Sequence, residues 1–446
     1  MRFLQNILKM PLVKNTLKLS SSNVLMYLLP IIVTPILSRL YTTECYGEWG
    51  LFSSAFMIIN AVLFLSYENT IVKTRNQREL PALCCMCLAV ALFIIVLTAC
   101  VFIVGRSLDI EFFVNFPSLP LLIVLLVITA FNQLFYNLSN RYEKYSLMAV
   151  ANITQGLSQA FFRILLSMVK SLNGLILGNV LAQLSSVITY LVGLRRQIPV
   201  IYRSRPSLSE IRQMIQKYRN FPMFDAPGIV LEAAMVNMAL IILSLYFPKS
   251  VIGCYSIIFQ FMVLPISMVG SAMSKVYYKE ISVAKEPGQI ASVTKKVVKI
   301  TFFLSLIPIT FVVLGGDQFI EWYLGEKWEV AGNFALCLSM MSVPIVLTES
   351  VLPIYRVIDK QKIRFVFDLV CVIVGLGGMV VACETTTNIY RVLMVYVVLY
   401  TLVRFLLFFN VKKCSRMTFS LREWLLSGFC VAFCYVILVV RVYHLL

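Results

Sequence analysis

The chain has 446 residues, of which 60% are hydrophobic and 13% charged, and it carries a formal net charge of +18. A soluble domain carries about a quarter charged residues, so these charges are too few to clothe a water-facing surface. That excludes a soluble globular protein and leaves a chain whose apolar surface faces lipid.

In chain order, the basic residues Arg2, Lys9, Lys14 and Lys18 precede an apolar run that starts near Val24. That run is long enough to span a bilayer, so it reads as a first transmembrane helix rather than a cleavable signal. Before it, Phe3, Leu4, Ile7 and Leu8 share one face of a short surface helix. A span needs about 20 apolar residues. The segments that qualify are 20–40, 46–72, 81–105, 119–138, 145–169, 174–194, 222–246, 250–275, 298–315, 331–355, 364–383, 389–410 and 423–443. The predicted fold is an all-α polytopic membrane protein of about thirteen transmembrane helices, with twelve or fourteen as the alternatives. Cysteines such as Cys84, Cys85, Cys87, Cys100, Cys430 and Cys434 lie within these runs and read as small hydrophobes. Histidine occurs once, as His444, and the cysteine spacing lacks paired CxxC motifs, so no metal site is expected.

Lysine and arginine orient the chain. With a cytoplasmic N-terminus, 30 of the 39 basic residues fall on the inner side and seven on the outer, while Arg163 and Arg404 lie within spans. This is a strong positive-inside pattern. The positive charge therefore reports topology and contact with anionic membrane lipids. It is spread over seven short loops, which argues against nucleic acid as a partner.

The longest inner loop separates two halves. Ser207 and Glu210 predict a capping box, and Leu208, Ile211, Ile215 and Tyr218 follow at helical spacing. This reads as an amphipathic helix on the inner leaflet. The predicted organisation is a six-helix lobe over 1–194, a cytoplasmic linker over 195–221, a second six-helix lobe over 222–410 and an additional transmembrane segment over 411–446. A shift of 206 residues places Val24, Leu25, Ile36, Leu37, Ser38 and Gly47 on Val230, Leu231, Ile242, Leu243, Ser244 and Gly253. Tyr41 meets Phe247, and Trp49 meets Tyr255. Both copies join the first helix of a half to its second, with glycine expected at the turn and an interfacial aromatic after it. Six helices separate the copies, so the halves are parallel repeats, an arrangement common in transporters.

The run "PILSRLYTTECYGEWGLFSSAF" (Pro35 to Phe56) resembles the start of polysaccharide flippases, where a first helix ending on Pro and Arg leads into a Tyr-Gly-x-Trp turn. "NGLILGNVLAQ" (Asn173 to Gln183), "YRNFPMFDAPG" (Tyr218 to Gly228) and "SLYFPKSVIGCYSIIFQFMVLPISMVGSA" (Ser244 to Ala272) agree. The resemblance covers most of the first 350 residues. It points to the O-antigen or repeat-unit flippase branch of the multidrug/oligosaccharidyl-lipid/polysaccharide (MOP) exporter superfamily. It implies two pseudo-symmetric six-helix lobes around a central cavity, and a substrate that is an undecaprenyl-diphosphate-linked glycan. Members usually have twelve or fourteen spans, so the thirteenth departs from the pattern.

Ionisable groups within spans are costly and each needs a reason. Glu232 lies some 10 residues into its helix, near the midplane, and is the leading ion-coupling candidate, with Glu349, Asp225 and Glu68 beside it. Asp225 and Asp368 sit about a turn inside the inner boundary, where a carboxylate also serves as a cap or snorkels. Asp368 and Arg404 read as structural charges, Arg404 being neutralised by a buried acid. An anionic diphosphate calls for cations in the cavity: Arg39 and Arg163, with Lys275 at the inner mouth. Asn60 and Ser20, Ser21, Ser22 and Asn23 offer hydrogen bonds of the kind sugars take. Pro30, Pro35, Pro265, Pro308 and Pro344 are candidate bends.

The expected function is movement of undecaprenyl-diphosphate-linked repeat units of O-antigen, capsule or exopolysaccharide to the outer leaflet of a bacterial inner membrane. An ion-coupled multidrug antiporter of the same fold is the alternative. A membrane polymerase or acyltransferase fits less well, because the outer loops are short and the lone histidine sits at the tail. No GxxxxGK[ST] phosphate loop occurs, and nothing in the sequence calls for a cofactor. A polysaccharide polymerase and a chain-length regulator are candidate partners.

Overall fold

Hydrocarbon has no water to satisfy backbone groups, so long apolar segments resolve as helices that close their own hydrogen bonds. The computed structural model describes residues 29, 32–74, 76–169, 173–199, 206–219, 221–282, 284 and 286–444, and no strand occurs among them. Contacts divide the chain into two compact units, Met1–Ala233 and Ala234–Leu446.

In the first unit, the segment expected at 20–40 lies largely outside the described residues, and its end, 32–40, is helical. The surface helix expected around Phe3 to Leu8, Ser20 to Asn23 and Pro30 also lie outside them. Thr42 then caps α1 (Thr43–Val62): its backbone is extended and its hydroxyl accepts the Cys45 N–H at 3.3 Å. The glycine turn expected here is absent from the described residues. Gly47 is buried within α1, and its counterpart Gly253 is likewise buried inside a helix. A threonine side chain makes the turn by meeting a free N–H, so the turn needs no glycine.

α1 ends at a break over residues 63–67, where Leu65 (φ 48°) and Ser66 (φ 65°) adopt left-handed backbone. α2 (Glu68–Lys73) resumes the path, followed by α3 (Leu80–Ser107), α4 (Leu119–Arg141), α5 (Tyr145–Leu166) and α6 (Gly174–Gly193). α5 packs along α6, and α4 packs against both α6 and α3. Asn173 explains its own motif. Its side chain accepts the Leu175 N–H to cap α6, and donates to Cys45 O at 2.8 Å and to Glu48 Oε2 at 3.3 Å. The turn before α6 is thereby fastened to the start of α1.

The stretch expected to be a linker contains α7 (Leu208–Lys217) with its capping box formed: Ser207 Oγ accepts the Glu210 N–H and Glu210 Oε2 accepts the Ser207 N–H. α7 packs against α3, and Lys217 Nζ reaches both carboxylate oxygens of Glu79 at 2.8 Å. That hydrogen bond raises the Lys217 ammonium above the usual lysine range.

A π-helical turn, Phe221–Asp225, leads into α8 (Ala226–Tyr246), within which the division between units falls. The second unit continues with α9 (Lys249–Ser282) and α10 (Pro287–Phe311). The connection over 316–330, left between the expected spans 298–315 and 331–355, is mostly helical. α10 breaks at a π-helical turn, Val312–Gly316, where Gly315 has φ 104°, and α11 (Asp317–Leu324) follows at once. α12 (Glu329–Ser339) and α13 (Ser342–Val351) belong to one segment bent by 49° around Met340 and Met341. α14 (Gln361–Thr385), α15 (Ile389–Ser415) and α16 (Leu421–Tyr443) complete the unit. α13 is its centre, packed against α9, α10 and α15. Tyr277, Val343, Leu347, Val351, Tyr355 and Leu407 are buried together there. Pro265 and Pro308 lie inside α9 and α10.

Among the described residues, nine helices are long and apolar enough to cross a membrane, and the bent α12–α13 segment makes a tenth. Three of the thirteen expected segments are not among these. The first segment is largely undescribed, α1 is interrupted, and α5 carries Asn152, Gln155 and Gln159 among its apolar residues.

A Cβ on Gly174 would come within 2.2 Å of Tyr41 Oη and 2.9 Å of Leu166 Cβ. Gly174→Ala should therefore destabilise the protein by about 1–3 kcal/mol through overpacking. Tyr41→Phe removes the closer atom, so the double variant should melt above the temperature expected from adding the two single effects. Thermal unfolding in detergent measures both.

Candidate functional site

The second unit handles its in-span charges by pairing them. Arg404, on α15, is 5% exposed, and Glu349, on α13, is half-buried. Arg404 Nη1 lies 3.1 Å from Glu349 Oε1 and 3.4 Å from Thr348 Oγ1, and Nε donates to Tyr400 Oη at 3.0 Å. The guanidinium also lies over the Tyr400 ring, 5.1 Å from its centroid. α9 passes close because residue 270 is glycine: a Cβ there would lie 2.8 Å from Glu349 Cβ. Asp368, one helix away on α14, pairs with Arg364 at 3.3 Å and lies within electrostatic range of Arg404. Two cations and two carboxylates thus form one balanced group.

The first unit uses a different device. Arg163, on α5, is 5% exposed, and its guanidinium lies over the Trp49 ring, 4.4 Å from the centroid. Tyr41 Oη donates to the Arg163 carbonyl at 2.5 Å, and Gly178 leaves room for the arginine stem. Arg163 Nε and Nη2 are buried and have no hydrogen-bond partner among the described residues. An aromatic face compensates a desolvated guanidinium in part. Trp49, expected at an interface, is the partner that sequence reasoning did not find.

Amide pairs also join the helices of this unit. Gln133 Nε2 donates to Asn60 Oδ1 at 2.9 Å, linking α4 to α1. Asn132 Nδ2 donates to Gln183 Oε1 at 2.8 Å, linking α4 to α6, and Gln159 Nε2 donates to Asn179 Oδ1 at 3.3 Å, linking α5 to α6. Asn179 is buried and the other five are half-buried. Of the six, sequence reasoning singled out Asn60 alone. The adjacent pair Asn132–Gln133, inside an apolar run, was the available signal.

The remaining candidates are dispersed. Glu68 opens α2 just past the helix break, with Oε2 buried and without a hydrogen-bond partner among the described residues. Arg39 is exposed and donates to Pro35 O at 3.3 Å. Glu232 is exposed on α8, and Lys275 is exposed on α9. The side chain of Asp225 falls outside the described residues. No hydrogen bond or ion pair joins Arg39, Asn60, Glu68 and Arg163 to one another among the described residues.

The family model for polysaccharide biosynthesis proteins matches residues 36–333, two-thirds of the chain. The chain belongs to the polysaccharide biosynthesis protein family. The matched stretch contains the Asn173 cap, the Arg163–Trp49 stack and all three amide pairs. A comparison with curated protein sequences finds no relative. Among solved structures, the fold is similar to a multidrug resistance MATE family transporter of the MOP superfamily in an inward-facing conformation. The TM-score is 0.67 at 14% identity, covering 88% of this chain and 94% of that one. It is also similar to the lipid II flippase MurJ in an inward closed conformation, with a TM-score of 0.63 at 12% identity, covering 96% and 99%. A third, a MOP superfamily transporter from Pyrococcus furiosus, matches with a TM-score of 0.58 at 15% identity, covering 90% and 94%. This member of the family is therefore a multi-pass membrane protein with the MOP transporter fold.

Removing one member of the Arg404–Glu349 pair leaves the other uncompensated. Arg404→Leu should destabilise the protein by roughly 2–4 kcal/mol, less than for a wholly buried pair because the Glu349 side chain is 26% exposed. Arg404→Leu with Glu349→Leu should recover most of that loss, as read from thermal midpoints in detergent. Arg404→Lys should recover little, because it lacks the planar fork that spans Tyr400, Thr348 and Glu349.

Proposed function

We propose that the protein is a flippase that moves undecaprenyl-diphosphate-linked oligosaccharide repeat units from the cytoplasmic to the outer leaflet of a bacterial inner membrane. The N-terminus lies on the cytoplasmic side, as the distribution of basic residues favours. Export proceeds by alternating access and is coupled to an ion.

The observation that carries this reading is the set of amide pairs among α1, α4, α5 and α6. Five of their six side chains are half-buried although they sit in apolar segments. A primary amide has two donors and an acceptor oxygen, and each pair uses one donor and one acceptor. The unused groups are costly against lipid and inexpensive against water or sugar hydroxyls. A series of such groups along one unit suits the hydroxyl-rich glycan part of the cargo. It suits a lipophilic cation poorly, which sets the flippase above the multidrug antiporter. Membership of a polysaccharide biosynthesis family supports the same choice. The MurJ fold offers precedent for a lipid-linked glycan passing through this architecture.

Glu232 is the carboxylate to which ion coupling is assigned. It is exposed within the span Phe221–Tyr246, and a carboxylate so placed requires water rather than hydrocarbon beside it. Glu349 is paired with Arg404 and is half-buried, so it is less accessible than Glu232. Arg39, Arg163 and Lys275 remain the cations proposed to meet the diphosphate, with Arg39 and Lys275 the accessible ones.

Glu232→Gln should leave the protein folded and in the membrane while surface glycan is lost or severely reduced, as expected of an intramembrane coupling group. Gln133→Leu should lower export without changing the thermal midpoint by more than about 1 kcal/mol equivalent, since interhelical hydrogen bonds in membranes average ~0.6 kcal/mol. In both variants, lipid-linked glycan should accumulate on the cytoplasmic side. Normal surface glycan in the Glu232 variant would remove that residue from the mechanism. Drug efflux with no change in glycan would select the antiporter instead.

A further inference from the structure

The last helix, α16, lies beyond residues 36–333, which the family model matches. Its polar side chains engage the second unit at three levels. In its first turn, Glu423 pairs with Lys295 at 2.9 Å and Lys299 at 2.5 Å, both on α10. Three turns on, Tyr435 Oη donates to Met340 O at 2.6 Å. In the last turn, Arg441 Nη1 donates to Val312 O at 3.0 Å and Val313 O at 3.5 Å, while Nη2 bonds Asp317 Oδ2 at 2.7 Å.

The partners of Tyr435 and Arg441 share a property. Met340 is the residue at which the α12–α13 segment bends, and Val312 and Val313 open the break between α10 and α11. Asp317 is the first residue of α11. A break in an apolar segment releases backbone carbonyls that hydrocarbon cannot satisfy. α16 supplies a donor to each break, and at the second it also binds the far side. Asp317 Oδ1 is buried and has no hydrogen-bond partner among the described residues. If Arg441 withdraws, that carboxylate is left without its counter-charge, so the contact is either made or lost.

We propose that α16 is a polar strut that fixes the bend of both broken segments, with Arg441 setting α11 against α10 across the Gly315 joint. Broken spans are where transporters of several folds bind and move their cargo. The strut therefore governs the working shape of this unit, whatever the cargo.

The test uses the full chain in lipid nanodiscs, read by amide hydrogen exchange, alongside glycan export in cells. Arg441→Gln should speed exchange roughly tenfold or more over 312–318, as expected when one local unit is released. Rates in α14 should stay unchanged, and export should fall. Tyr435→Phe should do the same over 339–343. Arg441→Lys, which keeps the charge but not the fork, should fall between wild type and Arg441→Gln. If Arg441→Gln does not fold, the Tyr435 and Lys variants decide. Unchanged exchange at both breaks overturns the proposal, as does a local rise with full export. If wild type itself moves no glycan, the flippase reading fails alone, and the exchange measurements still judge the strut.

Discussion

Every backbone N–H and C=O that lies in hydrocarbon has to be met from within the chain, and most of what is specific about this structure follows from that requirement. Unbroken helices meet it without help. Breaks and helix ends do not, and at those points the chain spends its polar side chains. Arg141 reaches from the end of α4 to the carbonyls of Ile71 and Thr74 at the end of α2. Lys144 donates to Gly193 O at the end of α6 at 2.8 Å, and Arg106 donates to Phe113 O at 3.0 Å. Arg441 and Tyr435 do the same for the breaks of the second unit. Basic residues near span ends thus close open carbonyls.

Charges deeper in the fold follow the same economy in two forms. Arg404 is held by a carboxylate, a hydroxyl and a phenol, which engage three of its five N–H donors. Arg163 is held by the Trp49 ring, which leaves two of its nitrogens with no acceptor among the described residues. The first arrangement is a closed electrostatic unit. The second keeps hydrogen-bonding capacity in reserve beside a motif that the family model matches. The amide pairs do likewise at lower cost, since each pair satisfies part of its own demand and presents the rest.

Helix positions were largely legible because hydropathy and length report them directly. Each predicted segment from 46–72 onward overlaps described helix. The breaks were not legible, because Leu65, Ser66, Met340 and Met341 interrupt neither apolar content nor charge. Gly315 and Gly316 marked the end of a segment, but not that a new helix would start on the next residue. Gly47 illustrates a related error: glycine suggests a turn when read locally, whereas the hydroxyl of Thr42 makes the turn and Gly47 lies buried inside the helix that follows. For the candidate site, residue type showed which groups are costly in lipid. It could not show partners, since Arg404 and Glu349 are 55 positions apart and Trp49 meets Arg163 only through the packing of α1 with α5 and α6. The amide pairs went unseen because each member is an unremarkable polar residue until its partner is known.

The central claim is that this fold carries a lipid-linked glycan across the bilayer. The most direct measurement reconstitutes the full chain into liposomes containing a polyprenyl-diphosphate oligosaccharide and follows its accessibility to an external glycosidase. The account predicts that the protected inner-leaflet pool is consumed over time in proteoliposomes and persists in protein-free liposomes. A pool that stays protected in folded, correctly reconstituted protein under an imposed ion gradient would contradict it.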